Sequence, residues 1–69
     1  MIKIFVQSNR TEIIEKIDEY LYSEKIPYTK ESSFGQKNTT EYYINYLGNT
    51  LFLINKLTEF GVTAFSLKE

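Results

Sequence analysis

The chain opens on alternation. Over residues 2–6, Ile2, Ile4 and Val6 fall to one side and Lys3 and Phe5 to the other, with Gln7 continuing the polar side. That is the period of a strand with one strongly apolar face. The period then lengthens. Ile13, Ile14, Ile17, Tyr20 and Leu21 recur three and four residues apart, as in the buried stripe of an amphipathic helix. Asn9 followed by Glu12 has the form of a capping box, with Asn in place of Ser or Thr, and predicts the helix start. Pro27 disfavours helical backbone at Ile26, so the helix should stop between residues 23 and 25.

Residues 28–34 read as a polar strand at a sheet edge, and 35–39 as a loop. Residues 40–47 read as the next strand, because Tyr42, Tyr43, Ile44 and Tyr46 favour extended backbone. The two strands should form a hairpin. The following segment has two readings. Gly48-Asn49 between apolar runs is a hairpin-turn signal, which makes 50–54 an extra strand. Alternatively Asn49 or Thr50 caps a helix reaching Phe60, with Leu53, Leu57 and Phe60 on one face, Ile54 at its margin and Gly61 just beyond. The helical spacing favours the second. Residues 62–67 form the last strand. The order β-α-β-β-α-β, with right-handed crossovers, gives an α+β, ferredoxin-like two-layer sandwich whose antiparallel sheet has the order 4-1-3-2.

Composition narrows the chemistry. Sixty-nine residues fit a single small domain with a thin core. Cys and His are both absent, which excludes thiol catalysis, Cys/His zinc sites and a Ser-His-Asp triad built from this chain. The glycines are isolated rather than gathered in a phosphate loop, and no enzyme activity or cofactor is expected. Eight basic against nine acidic residues leave no bulk attraction to phosphate. No apolar run approaches the length of a membrane span, and the opening residues lack the form of a signal peptide, so the expectation is a cytoplasmic protein that meets no membrane. Ile, Lys, Asn, Tyr and Phe far outnumber Gly, Ala, Arg and Pro, a bias that points to an AT-rich bacterial or phage genome.

Three surfaces stand out. On the open face of the sheet, away from the helices, Phe5 and Tyr43 should lie side by side on the two central strands, joined by Phe65 from the edge. On the outer face of the first helix, Glu12, Glu15, Asp18 and Glu19 surround Lys16, with Glu12 and Lys16 spaced to pair. At the start of the second helix, Leu51 and Phe52 point away from the buried stripe and suggest a partner interface.

Ile4-Phe5-Val6 and Tyr43-Ile44-Asn45-Tyr46 resemble the strand-one and strand-three signatures of the RNA recognition motif. The resemblance implies stacking of bases on Phe5 and Tyr43. Glu41 stands where that family places a second aromatic, and Thr39 and Thr40 replace its basic and glycine positions. Residues 1–30 are loosely similar to the opening of glutaredoxin-like proteins, but Ser8-Asn9-Arg10 occupies the junction where that family carries its cysteine.

The resulting expectation is a protein-binding module that regulates, inhibits or adapts a larger partner, with homodimerisation as a further possibility. Its binding residues are drawn from Phe5, Tyr43, Phe65, Leu51, Phe52, Glu12, Glu15 and Glu19. Single-stranded nucleic-acid binding through the sheet face and a small-ligand regulatory role stand as alternatives.

Overall fold

In the computed structural model these patterns resolve into six elements: β1 (Ile2–Gln7), α1 (Thr11–Ser23), β2 (Tyr28–Ser32), β3 (Thr39–Ile44), α2 (Thr50–Phe60) and β4 (Ala64–Leu67). The structure describes residues 1–67 apart from 34, 36 and 37. The predicted end of the second strand at Phe34, and part of the loop after it, lie outside the described residues. The sheet order is β2-β3-β1-β4 and every neighbouring pair is antiparallel. This is the ferredoxin-like sandwich that the periodicities predict. The segment at 50–54 is helical and not an extra strand.

β1 is central, so its alternation sets the layer structure. Ile2, Ile4 and Val6 are buried, opposite Ile44, Tyr42 and Thr40 of β3. From the helices, Ile13, Ile17 and Leu21 of α1 and Leu53 and Leu57 of α2 descend onto them and complete the core with Val62. Ile14, Tyr20, Phe60 and Phe65 pack at its margin. Because both crossovers lie on one side, the other side of the sheet has no covering layer.

Both helices end in the same way. Past α1, Ile26 N–H reaches Leu21 O and Lys25 N–H reaches Tyr22 O; past α2, Val62 N–H reaches Leu57 O and Gly61 N–H reaches Thr58 O. Such paired bonds satisfy carbonyls that a helix end leaves open, and they require a left-handed residue. Gly61 supplies it at φ 112°, where a Cβ would also meet Ile13 Cδ1 at 2.9 Å. In α1 the same position is Lys25, at φ 56°.

The starts differ. At α2 the Asn49 side chain accepts from Phe52 N–H at 3.2 Å, as predicted. At α1 the predicted Asn9–Glu12 box does not form. Arg10 occupies the cap position and makes no side-chain cap bond. The reason lies in β1, which runs one residue further than the alternation suggests. Arg10 N–H then bonds Gln7 O, so Ser8 and Asn9 are the corners of a tight turn. Two further boundaries shift. β3 stops at Ile44 instead of 47, because both strands beside it begin opposite Ile44. β4 starts at Ala64 instead of 62, because Val62 is engaged in closing α2.

A short polar chain clamps the turn after β1 to the hairpin. The buried Ser8 Oγ donates to Ser33 O at 2.9 Å and lies 3.0 Å from Thr40 Oγ1, which in turn lies 3.1 Å from Ser32 Oγ. A second tie joins α1 to the sheet. Asp18 accepts from the Tyr42 hydroxyl at 2.7 Å and from Lys30 Nζ at 2.9 Å. Tyr42 thereby buries its ring completely and still satisfies its polar tip.

Two predictions follow from this core. Ile17 is fully buried beneath α1. Its change to Ala should cost about 2–5 kcal/mol, a large share of the stability of so small a domain; urea unfolding measures it, and an unchanged midpoint would contradict the helix register. The second concerns alkali. Burial first, and the bond to Asp18 second, push the Tyr42 phenol well above its ordinary value, and burial raises that of Tyr20. Each holds its proton more tightly folded than unfolded. The unfolded chain therefore binds fewer protons above about pH 10, and stability falls as pH rises through that range. Thermal melts should be level up to about pH 9 and decline beyond pH 10, with a shallower decline in Tyr42→Phe.

Candidate functional site

The open face of the sheet is built by register. β1 contributes Lys3, Phe5 and Gln7; β3 contributes Tyr43, Glu41 and Thr39; β2 contributes Thr29 and Glu31; β4 contributes Ala64 and Ser66. Phe5 and Tyr43 share this face, as predicted, but they are not side by side. Phe5 lies opposite Glu41, and Tyr43 lies opposite Lys3. The alternation fixes which face a residue takes, but shifting β1 against β3 by two residues preserves every face, so the pairing was not legible.

Lys3 fills the gap between the rings. Its Nζ lies 5.1 Å from the Phe5 centroid, 5.0 Å from the Tyr43 centroid and 3.4 Å from Glu41 Oε1. The Tyr43 hydroxyl donates to Glu41 Oε2 at 3.3 Å. The polar Tyr43 side chain is the largest influence and raises the Lys3 pKa; burial, the next, opposes it, and the charge of Glu41 adds to the net rise. The cation is thus occupied from three sides, and both rings carry it on their faces. Glu31 stands directly across from Glu41 on the same surface, so this face holds two acidic residues to one basic among those described.

Phe65 does not belong to this face. It pairs with Ile4 and packs against the core from the helix side, with Leu67 two residues on. The alternation of Ala64, Phe65, Ser66 and Leu67 carries that signal: small residues point out and large apolar ones point in.

The acidic face of α1 is only partly a solvated ridge. Glu15 and Glu19 are exposed. Glu12 meets Arg10 Nε at 3.5 Å in place of the predicted Lys16. Asp18 turns toward the sheet and is occupied by Tyr42 and Lys30. Between the two helices, Tyr20 and Phe60 meet edge to face at 5.6 Å with Lys56 Nζ over both rings, and Lys16, Glu19 and Tyr22 rim the groove beside them.

Leu51 and Phe52 are in the first turn of α2 and exposed, at 65% and 57% of their surface. They have company that was not predicted. Leu47 is 94% exposed and Tyr22 84%, and Met1 and Leu67 are also exposed. The topology brings all six to one end of the sandwich: the end where β1 and β2 begin, α1 stops, β3 gives way to α2, and β4 finishes. A cleft of about 270 Å³ opens there, lined by Lys25, Ile26, Pro27, Asn45, Tyr46, Leu47 and Gly48. At the opposite end, among the described residues, Ser8, Asn9 and Arg10 form the turn into α1 and Thr63 precedes β4. No periodicity marks Leu47 or Tyr22, since each stands next to a buried or half-buried residue and not in phase with it.

Among the described residues no three acidic side chains converge on a point that could hold a metal ion, and no helix is long and apolar enough to cross a membrane. Compared with known proteins, the chain matches no family model, no curated protein and no solved structure. Its class rests on topology: a ferredoxin-like sandwich with a self-covered sheet face and, among the described residues, large exposed apolar side chains at one end.

The sheet face gives a direct test of nucleic-acid binding. Stacking contributes roughly 1–3 kcal/mol per base. Here a base must first displace Lys3, and two carboxylates face its phosphates. Fluorescence anisotropy with labelled mixed-sequence RNA and DNA should show nothing tighter than the high-micromolar range, even at low salt. Submicromolar binding abolished by both Phe5→Ala and Tyr43→Ala would reverse that expectation.

Proposed function

We propose that this domain is a protein-binding module that docks an apolar segment of a larger protein at the end formed by Leu47, Leu51 and Phe52, and thereby regulates or adapts that partner. The observation that supports this reading is the segregation of exposure. Large apolar side chains scattered singly over a surface need no explanation. Here Met1, Tyr22, Leu47, Leu51, Phe52 and Leu67 gather at one end. Exposed apolar side chains concentrated at one end are what an interface requires. The cleft beside Leu47, floored by Ile26, Pro27 and Tyr46, offers a recess for an anchoring side chain. Glu15 and Glu19 on the exposed face of α1 would steer a basic partner toward it at long range.

The test is comparative capture from the native cell. Bait carrying Leu47→Asp, Leu51→Asp and Phe52→Asp should lose a partner that the wild-type chain retains, with melting temperature kept within a few degrees because none of the three supports the core. Loss of the same partner from Phe5→Ala with Tyr43→Ala, and its retention by the triple variant, would move the interface to the sheet face and overturn the proposal.

A further inference from the structure

A sheet that is not closed presents two edges, and this one treats them differently. β2 begins just after Pro27 and carries Lys30 and Glu31. Charge and proline are the devices by which natural sheets discourage further pairing. β4 has neither. Ala64, Phe65, Ser66 and Leu67 are uncharged, no residue of β4 has positive φ, and among the described residues the strand pairs only with β1. Its outer row of backbone donors and acceptors is an open template.

We propose that β4 pairs antiparallel with β4 of a second copy of this chain, extending the sheet across a twofold axis. The occupant follows from symmetry and charge. A twofold axis perpendicular to the sheet keeps both helix layers on one side and sets residues of the same face opposite one another. Phe65 and Leu67 lie on the helix side, opposite Ile4 and Ile2 of β1. An axis at Ser66 sets Phe65 of each copy against Leu67 of the other, and Ser66 against Ser66. Two apolar cross-strand pairs form, and within β4 no like charges meet. Leu67, 61% exposed in the single chain, gains cover. The same operation on β2, centred on Lys30 or Glu31, opposes either residue to its own copy, and centred on Thr29 it sets Pro27, which has no N–H to donate, against Glu31. A strand that fits itself and bears no charge is suited to a copy of itself.

The pairing is short. Four residues bury less than the roughly 1,200–2,000 Å² of a standard stable interface, which makes the dimer weak and concentration-dependent. It shares Leu67 with the apolar end but needs none of Leu47, Leu51 and Phe52, and it is read by self-association and not by capture of a larger protein, so each proposal can fail without the other.

Sedimentation equilibrium from micromolar to millimolar concentration reads the result. The mass should rise from 8.2 kDa toward twice that value. Leu67→Lys and Ser66→Lys should each hold the chain at monomer mass with the thermal melt retained, whereas Leu51→Asp with Phe52→Asp should leave the association intact. Amide hydrogen exchange on the wild-type chain gives a readout that needs no variant: β4 amides should gain protection as concentration rises, and β2 amides should not. A constant 8.2 kDa at millimolar concentration overturns the proposal. So does an association that both lysine variants preserve, or one without concentration-dependent protection in β4.

Discussion

A four-stranded sheet has two faces, and this chain supplies helices for only one. The rest of the structure answers to that constraint. β1 sits in the middle of the sheet, so the side chains it sends to the open face cannot hide behind a neighbouring layer. It sends Lys3 and Phe5. The solution is local cover. The Lys3 stem and ammonium lie between the Phe5 and Tyr43 rings, and Glu41 neutralises the charge from the adjacent strand. Aromatic surface is shielded from water without a second layer, and the cation keeps its polar partners. An aromatic pair on an exposed sheet invites comparison with a base-stacking platform. The geometry of Lys3 makes it a lid for the domain's own surface.

How much of this was legible depends on the range of the information. Local periods carried the element types, because burial on one face of a strand or one stripe of a helix writes itself into the spacing. Ile2, Ile4 and Val6 and the stripe from Ile13 to Leu21 are of that kind. Parity was also legible, and it placed Tyr42 and Ile44 inward and Tyr43 outward. Register between β1 and β3 was not. The two strands are joined through α1 and β2, and sliding them by two residues changes no face. The observed alignment, Lys3 with Tyr43 and Phe5 with Glu41, comes from the whole core closing at once. The error about Phe65 is different in kind. Its phase with Leu67 puts it on the helix side, and that phase is a local signal of the same kind as the one in β1.

The two asparagines show why a local motif can succeed in one place and fail in another. Asn49 follows a segment free of strand pairing, so its side chain can fold back onto Phe52 N–H. Asn9 follows a strand that is still pairing at Gln7, opposite Thr39. Reversal from β1 into α1 then needs a turn immediately, and Arg10 N–H returns to Gln7 O. The side chain that would cap the helix is one residue too early for the helix that forms. Ser8 is recruited instead, and its buried hydroxyl ties the turn to Thr40 and Ser33.

The apolar end stands apart from these folding requirements. α2 reaches the core through Leu53 and Leu57, and Asn49 satisfies its first turn. Nothing in that packing asks for Leu51 or Phe52. A helix N-terminus favours acidic side chains there, and the first turn of α2 has none, while α1 carries Glu12 in the equivalent turn. Polar residues at Leu47, Leu51 and Phe52 would leave the core unchanged, improve the interaction with the helix dipole and lower the exposed apolar area. The chain forgoes those gains at this end, whereas the turn into α1 at the other end is built of hydroxyl, amide and guanidinium side chains at Ser8, Asn9 and Arg10. Folding stability alone gives no reason for that asymmetry, because both ends face the same solvent. An apolar surface that the core does not need, beside a cleft it does not fill, is what the proposed docking of a partner would cover.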